Sequence, residues 1–192
     1  MSATMPTPHR PGPTLRVGTR GSPLALAQTR TLLARLRGLG AFEEHVIRTT
    51  GDAVQDRPLA EIGGKGLFAK EIHEALVAGR VDLAVHSLKD LETHLPDGIA
   101  LACALTREDA RDVLVLGPGC GPGDPDDPFA SLPRGALIGT ASARRQAQLL
   151  HARPDLRVTV LRGNVQTRLN KVGSGACDAS LLALAGLRRL GL

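Results

Sequence analysis

Two adjacent arginines, Arg144 and Arg145, stand where a predicted strand is followed by a predicted helix. The first turn of a helix has unpaired backbone N–H groups and carries about +0.5 of an elementary charge, so acidic side chains are expected there. Each arginine at this position should cost about 0.3–1 kcal/mol unless an anion lies between it and the helix end. The pattern therefore predicts an anion-binding site.

The same arrangement occurs at two other predicted junctions between a strand and a helix. Arg16 and Arg20 precede Ser22, a typical N-cap residue, and Arg162 and Arg168 bracket the start of a later helical stretch. Solvated surface arginine is the better explanation for any one pair taken alone. Because the arrangement is repeated at the same structural position, it favours a ligand with several negative groups.

Lys89 and Asp90 follow an apolar stretch, so they are expected at the carboxyl end of a buried strand. A carboxylate beside an ammonium group near a cationic cleft stays ionised and can stabilise a developing positive charge. A salt bridge that caps the strand end is the alternative for this pair.

Lys65 lies in a glycine-rich loop that precedes a predicted helix. The loop is not a P-loop, because Leu59 and Gly66 stand where that motif needs a glycine and a hydroxyl residue. Its backbone N–H groups could still bind an anion. The adjacent His86 and Ser87 lack the Gly-x-Ser-x-Gly elbow, which makes a hydrolase triad improbable.

Two copies of a β-α-β-α-β unit are predicted to position these side chains. Apolar periodicity and glycine stops indicate strands over 15–19, 45–50, 81–87, 137–140, 157–161 and 178–184, and helices over 23–37, 67–78, 143–151 and 165–172. We expect an α/β fold with two α/β domains, 14–110 and 111–192, around a cleft, and a surface loop over 117–135 that is rich in Gly, Pro and Asp. Ligands of such sheets lie beyond the carboxyl ends of the strands, so all three arginine-bearing junctions are expected to open onto the cleft.

Composition narrows the classes of partner. A net charge of +5 favours anions, but aromatic residues make up 2% of the chain, and it has no Tyr or Trp for stacking on single-stranded nucleic acid. The three cysteines have neither metal-ligand spacing nor disulfide spacing, so no metal and a reducing, cytoplasmic location are expected. Residues 1–13 are expected to be a disordered tail and no secretory signal, and no apolar run is long enough to span a membrane.

With these residues in place, the chain resembles the porphobilinogen deaminase (hydroxymethylbilane synthase) family. The matching stretches are 15–28, 63–68, 85–90, 107–112, 139–146, 161–168 and 183–192. The resemblance implies two domains similar to type II periplasmic binding proteins, followed in the family by a third domain. It also implies a monomeric enzyme of tetrapyrrole biosynthesis that joins four porphobilinogen molecules head to tail, with release of ammonia, on a cysteine-linked dipyrromethane cofactor.

The resemblance also assigns roles to residues. Asp90 is similar to the catalytic aspartate that stabilises the pyrrole cations formed when ammonia leaves. The positions similar to those that bind the cofactor are Lys89, Thr140, Ser142, Arg144, Arg145, Arg162 and Arg168. The positions similar to those on the substrate side are Arg16, Arg20, Ser22, Gln28, Lys65, Phe68 and Arg189. Porphobilinogen and the polypyrrole chain carry carboxylates, which are the anions that the arginines predict.

Departures from the family pattern are Glu61, Glu92 and Ala141, and the chain ends at Leu192 within the second domain. We therefore expect a fragment without the third domain and its cofactor cysteine, inactive alone. The alternative is a non-catalytic protein that binds small anions between two domains. A nucleic-acid-binding module is a third, weaker alternative.

Overall fold

Two sheets with flanking helices make up the fold. The computed structural model describes residues 12–53, 66–122, 124 and 126–192. Its strands are β1 (Leu15–Thr19), β2 (Phe42–Val46), β3 (Leu83–Ala84), β4 (Asp112–Leu116), β5 (Leu137–Gly139), β6 (Arg157–Thr159) and β7 (Ala179–Ala183). Its helices are α1 (Pro23–Arg35), α2 (Thr50–Ala53), α3 (Lys70–Val77), α4 (Ala143–Ala152), α5 (Val165–Gly173) and α6 (Leu184–Arg189), with a 3₁₀ turn at Leu88–Asp90.

The first sheet is parallel, with strand order β2-β1-β3. Its central strand β1 ends in the buried residues Val17, Gly18 and Thr19, and α1 follows directly. The Ser22 hydroxyl accepts a hydrogen bond from the backbone N–H of Ala25 at 3.2 Å, as expected of an N-cap. A strand that ends in an immediate helix start places Arg20 at the carboxyl edge of the sheet.

The second sheet has the order β4-β7-β5-β6. Its β6-β5-β7 part is parallel and repeats the β2-β1-β3 order of the first sheet, as the predicted duplication requires. Strand β4 is an addition that the sequence analysis did not predict, and it pairs antiparallel with β7. Because β4 lies outside the repeated β-α-β-α-β unit, the similarity between the two halves of the sequence did not predict it.

Gly139 lets the second sheet pack closely on its neighbours. A Cβ at Gly139 would lie 2.7 Å from Leu161 Cδ2 and 2.8 Å from Cys177 Sγ, closer than side-chain atoms approach. Leu161 and Cys177 form one buried cluster with Val172, and Ile138 joins a second buried cluster that includes Leu149. This packing fixes the end of β5, from which the arginine-bearing helix α4 begins.

Several predicted bounds are wrong. The strand predicted over 45–50 is β2 at Phe42–Val46, since pairing with β1 begins at Leu15 and Phe42. The helix predicted over 67–78 begins at Lys70, because residues 67–69 form a turn after Gly66, whose φ is +68°. The strand predicted over 81–87 is reduced to Leu83–Ala84. Helices α2 and α6 were not predicted.

The loop over 117–135 is less superficial than expected. It contains no helix or strand among its described residues, but Leu132 is 4% exposed and packs in the cluster around Ile138. The Cys120 side chain packs against the same cluster, and its Sγ donates to the carbonyl of Asp178 at 3.2 Å. The loop therefore supplies part of the core of the second sheet.

The α/β fold class predicted from the sequence is confirmed. The division into domains at residues 110 and 111 stays a prediction. The tail predicted over 1–13 lies mostly outside the described residues. Within the described part of the chain, no helix has the length and apolar composition needed to cross a membrane.

Candidate functional site

Arg20 is shared between two carboxylates at the carboxyl edge of the first sheet. Its Nε donates to Asp52 Oδ2 at 3.0 Å, and its Nη2 donates to Asp52 Oδ1. Its Nη1 donates to Asp90 Oδ2 at 3.3 Å. The Arg20 Cζ lies 4.2 Å from the centre of the Phe68 ring, a cation–π contact. The predicted catalytic residue therefore lies in a cluster of four side chains: Arg20, Asp52, Phe68 and Asp90.

The two carboxylates of this cluster differ in their electrostatics. Burial raises the pKa of Asp90, Lys89 and Arg20 oppose that rise, and the Asp52 charge adds to it. Burial also acts to raise the pKa of Asp52, but hydrogen bonds from Arg20 and Thr49 hold it below its ordinary value. Asp52 is therefore harder to protonate than an ordinary aspartate, and Asp90 is easier to protonate than one.

His86 is a half-buried histidine four residues before Asp90 in the chain, and it is neutral at pH 7. Burial, then the neighbouring His73 and Arg20, lower the pKa of His86 to about 4. Its ring centre lies 5.9 Å from that of His73. Its buried Nε2 has no hydrogen-bond partner among the described residues. Nearby, Ser87 Oγ donates to Gln28 Oε1 at 2.9 Å, which ties α1 to the segment that carries Asp90.

The free energy of unfolding should fall as the pH drops from about 6.5 to about 4 because of His86. In the unfolded chain His86 binds a proton at its ordinary pKa of 6.5, whereas in the folded chain it binds one only near pH 4. The contribution of neutral His86 to stability is therefore fully present above that window and is lost as the pH falls through it. The loss should be on the order of 2 kcal/mol. Urea unfolding at several pH values measures it. His86→Gln should flatten this dependence and His94→Gln, at an exposed position, should not. Equal slopes in both variants would contradict the assignment.

A second cluster, near the ends of β5 and β6, consists of Arg145, Arg162 and Arg168. Burial, and then the positive charges of Arg145 and Arg162, lower the pKa of Arg168. Arg168 Nε donates to the carbonyl of Gly163 at 2.9 Å. No carboxylate among the described residues lies within ion-pair distance of Arg168. This half-buried cation, repelled by two others, is the strongest sign of an anion-binding site.

Helix α4 begins where it was predicted to begin, but one of the anions near its arginines is a carboxylate of this chain, Asp112. Arg145 Nε and Nη2 donate to Asp112 at 2.9 and 2.6 Å, and Arg145 Nη1 donates to the carbonyl of Leu181 at 3.0 Å. Arg144 is 66% exposed, with Asp112 at 3.9 Å. For Arg145, the anion expected at the helix start is thus supplied at least in part by Asp112 of this chain. Asp112 begins β4, the strand that was not predicted.

The predicted hydroxyl ligands already hold the local backbone. Ser142 Oγ accepts from the N–H of Arg145 at 3.3 Å, and Thr140 Oγ1 accepts from the N–H of Ser142 at 3.1 Å. Ser22 caps α1 in the same way. These hydrogen bonds fix the first turn of each helix and, with it, the positions of the neighbouring arginines. The hydroxyl hydrogens remain available to a ligand.

Arg162 joins the two clusters. It is 8% exposed, and its Nη2 donates to the carbonyl of Gly51 at 3.3 Å. Gly51 precedes Asp52, so the second sheet reaches the cluster of the first sheet at this point.

Helix α6 packs against α1, and a Cβ at Gly186 would lie 3.5 Å from Leu24 Cδ2.

Some predicted site residues lie elsewhere. Arg16 is at the amino end of β1, opposite Arg20, where Asp82 accepts bonds from its Nε at 3.0 Å and its Nη2 at 2.8 Å. The expectation that Arg16 opens onto the site is therefore wrong. Arg189 is exposed, and its charge acts on Glu108. Lys89 is exposed beside Asp90, and Lys65, like Glu61, lies outside the described residues.

Three further residues, Thr49, Asp52 and Asp112, belong to the site and were not predicted from the sequence. Asp52 lies in α2, the short helix that follows β2, and a carboxylate soon after a strand was the same signal that identified Asp90. Asp112 lies in a stretch that carries the family resemblance, but its partner Arg145 is 33 residues away in the sequence. Thr49 is buried and donates to Asp52 Oδ2 at 2.8 Å.

Comparison with known proteins gives one family match. Residues 15–192 match the family model described as porphobilinogen deaminase, dipyromethane cofactor binding domain. A porphobilinogen deaminase of Nitrobacter winogradskyi is 56% identical over 181 residues, which are 92% of this chain and 55% of that protein. A chloroplastic porphobilinogen deaminase of Oryza sativa subsp. japonica is 50% identical over 185 residues, 93% of this chain and 50% of that protein. The chain spans about half the length of these curated relatives.

Solved structures show weaker likeness. The periplasmic VFT2 domain of Bordetella pertussis BvgS is 17% identical with a TM-score of 0.45, and the match covers 89% of this chain and 66% of that one. The AvGluR1 ligand-binding domain in complex with glutamate is 14% identical with a TM-score of 0.39, covering 92% of this chain and 71% of that one.

Proposed function

Because the chain belongs to the porphobilinogen deaminase family, we propose that it carries the catalytic and cofactor-binding site of a hydroxymethylbilane synthase. The reaction is the head-to-tail condensation of four porphobilinogen molecules, with release of ammonia, on a dipyrromethane primer. The observation that carries this proposal is Arg168, a half-buried cation beside Arg145 and Arg162 with no carboxylate partner among the described residues. A ligand with several carboxylates would supply the missing negative charge.

The donors of the second cluster fit a dipyrromethane that carries carboxylate side chains. Guanidinium groups bind carboxylates through two parallel hydrogen bonds, and the Thr140 and Ser142 hydroxyls add shorter-range donors. We assign Arg145, Arg162 and Arg168 as the central ligands. Lys89, Thr140, Ser142 and Arg144 complete the proposed set. When bound, the cofactor supplies the pyrrole carbon to which the next ring is joined.

Asp90 is the proposed catalytic residue. A carboxylate in this partly buried site can stabilise the positive charge that develops on porphobilinogen as ammonia leaves. It can also accept hydrogen bonds from pyrrole N–H groups. Its 22% exposed side chain is accessible to substrate yet shielded enough to strengthen that interaction. Arg20, Ser22, Gln28 and Phe68 are the proposed substrate-side residues: Arg20 and Phe68 contact each other in the Asp90 cluster, and Gln28 is bonded to Ser87. Ser22, Lys65 and Arg189 are proposed on family resemblance alone.

The partners we propose are porphobilinogen and the growing polypyrrole, with the protein acting as a monomer. Neither nucleic acid nor a membrane has a place in this proposal. A reducing compartment such as the cytoplasm is proposed because Cys103, Cys120 and Cys177 are free, and Cys103 is exposed.

Turnover is tested in a chimaera that joins this chain to the remaining C-terminal residues of the Nitrobacter winogradskyi relative, because the chain spans about half of that protein. We expect one ammonia released for each porphobilinogen consumed. A folded chimaera that binds porphobilinogen without releasing ammonia, while the intact relative releases it, would overturn the proposal. That result would favour the alternative of a non-catalytic protein that binds small anions.

A further inference from the structure

The Arg20 guanidinium is divided unequally between its two carboxylates. Asp52 takes the Nε–Nη2 edge through two bonds, one of them at 3.0 Å, whereas Asp90 has a single contact with Nη1 at 3.3 Å. An arginine held along one edge in this way cannot offer the same two-bond edge to a second carboxylate. The Nε–Nη2 edge of Arg20 is thus committed to Asp52, and Asp90 has a single, longer bond to the same guanidinium.

The surroundings of Asp52 fix this division. The buried Thr49 hydroxyl donates to Asp52 Oδ2 at 2.8 Å. The N–H of Gly51 donates to the carbonyl of Leu67 at 2.8 Å, and a Cβ at Gly51 would lie 2.9 Å from that oxygen and overlap the Phe68 ring. Glycine at this position therefore allows α2 to approach the ring that covers Arg20. The carboxylate of Asp52 and the guanidinium face of Arg20 are both held.

We propose that Asp52 is a positioning residue that withholds Arg20 from Asp90, so that the Asp90 carboxylate remains available to a cationic substrate. This inference deepens the proposed function and rests on it for the identity of the cation. If Asp52 loses its charge, Arg20 is free to turn its two-bond edge to Asp90 and neutralise it. A merely structural Asp52 would lack this effect on Asp90.

The charges that face Asp90 define the sign of the effect. They are Lys89 on its own turn, Arg20 after β1 and Asp52 in α2. The two cations favour the ionised form of Asp90, and Asp52 disfavours it. Removing the Asp52 charge and moving Arg20 closer therefore act in the same direction, towards a lower pKa for Asp90.

The test is a carbon-13 NMR titration of the Asp90 carboxyl in the 192-residue chain. In Asp52→Asn we expect its midpoint to fall by at least about one pH unit. Asp82→Asn is the matched control, because Asp82 forms a similar two-bond pair with Arg16 at the opposite edge of the same sheet, and it should leave the midpoint unchanged. An unchanged or raised Asp90 midpoint in Asp52→Asn would overturn the proposal.

A second pair of variants separates the role of Arg20 from direct repulsion between the two aspartates. In an Arg20→Gln background, Asp52→Asn should shift the Asp90 midpoint by much less than in the unaltered chain. An equal shift in both backgrounds would overturn the proposal, since the effect would not pass through Arg20.

The unaltered chain offers a measurement that does not depend on whether the variants fold. The nitrogen-15 resonance of Arg20 Nε should follow the titration of Asp52, and that of Nη1 should follow Asp90. The reverse pattern would overturn the proposal. These titrations require no turnover, so loss of the coupling sinks the role of Asp52, whereas ammonia release that survives Asp90→Asn sinks the proposed function.

Discussion

Replacing Asp90 with asparagine should lower the rate of ammonia release by about 10²–10³-fold in the chimaera. The amide keeps the shape of the side chain but removes the negative charge that stabilises the developing cation. The contact with Arg20 at 3.3 Å is already long, so little folding energy is lost with it. We therefore expect kcat to fall and KM to change little, as for an interaction made mainly in the transition state.

The matched control is Asp82→Asn. Asp82 is also ion-paired with an arginine of β1, and Arg16 lowers the pKa of Asp82 to about 2. It lies at the opposite edge of the sheet, so its replacement should leave turnover unchanged. Ammonia release by Asp90→Asn at the rate of the unaltered chimaera would refute the catalytic assignment. A raised KM at constant kcat would instead indicate a binding role.

Replacing Arg168 with glutamine should have opposite effects on binding and on stability. Affinity of the 192-residue chain for a carboxylate-bearing dipyrromethane should fall by about 10- to 100-fold, because a charge-assisted bond contributes about 1.5–3 kcal/mol. The free energy of unfolding of the chain alone should rise by on the order of 1 kcal/mol, because a half-buried cation no longer faces Arg145 and Arg162. Calorimetry and urea unfolding measure the two quantities.

Arg144→Gln is the control for this variant. Arg144 also belongs to the proposed cofactor-binding set but is 66% exposed, so its replacement should weaken binding less than Arg168→Gln does and should change stability little. If Arg168→Gln lowers stability and affinity together, Arg168 is a structural residue and the anion-binding cluster must be reassigned.

Local features of the site could be predicted from the sequence. Ser22 and Ser142 each have the signature of an N-cap, and both accept the expected backbone hydrogen bond. The helix starts that carry Arg20 and Arg145 follow from these caps. Asp90 could be placed because it comes soon after an apolar run, which is also a local pattern.

The partners of these residues depend on contacts that are distant along the chain. Arg20 and Asp52 are 32 residues apart and meet only because β1 and β2 are neighbours in the sheet. Asp112 reaches Arg145 through β4, a strand outside the repeated pattern. Strand direction explains the error at Arg16: Arg16 lies near the start of β1 and Arg20 just after its end, so the two residues are at opposite edges of the sheet.

The position of β4 has a consequence for how the protein is made. The three described strands of the first sheet have left the ribosome soon after Ala84, whereas β4 pairs with β7, which lies more than 60 residues further along the chain. At about 5–20 residues per second, the apolar residues 113–116 spend several seconds of translation without a partner strand. They are the stretch that a nascent-chain chaperone should protect, because an unpaired apolar strand readily aggregates with another chain.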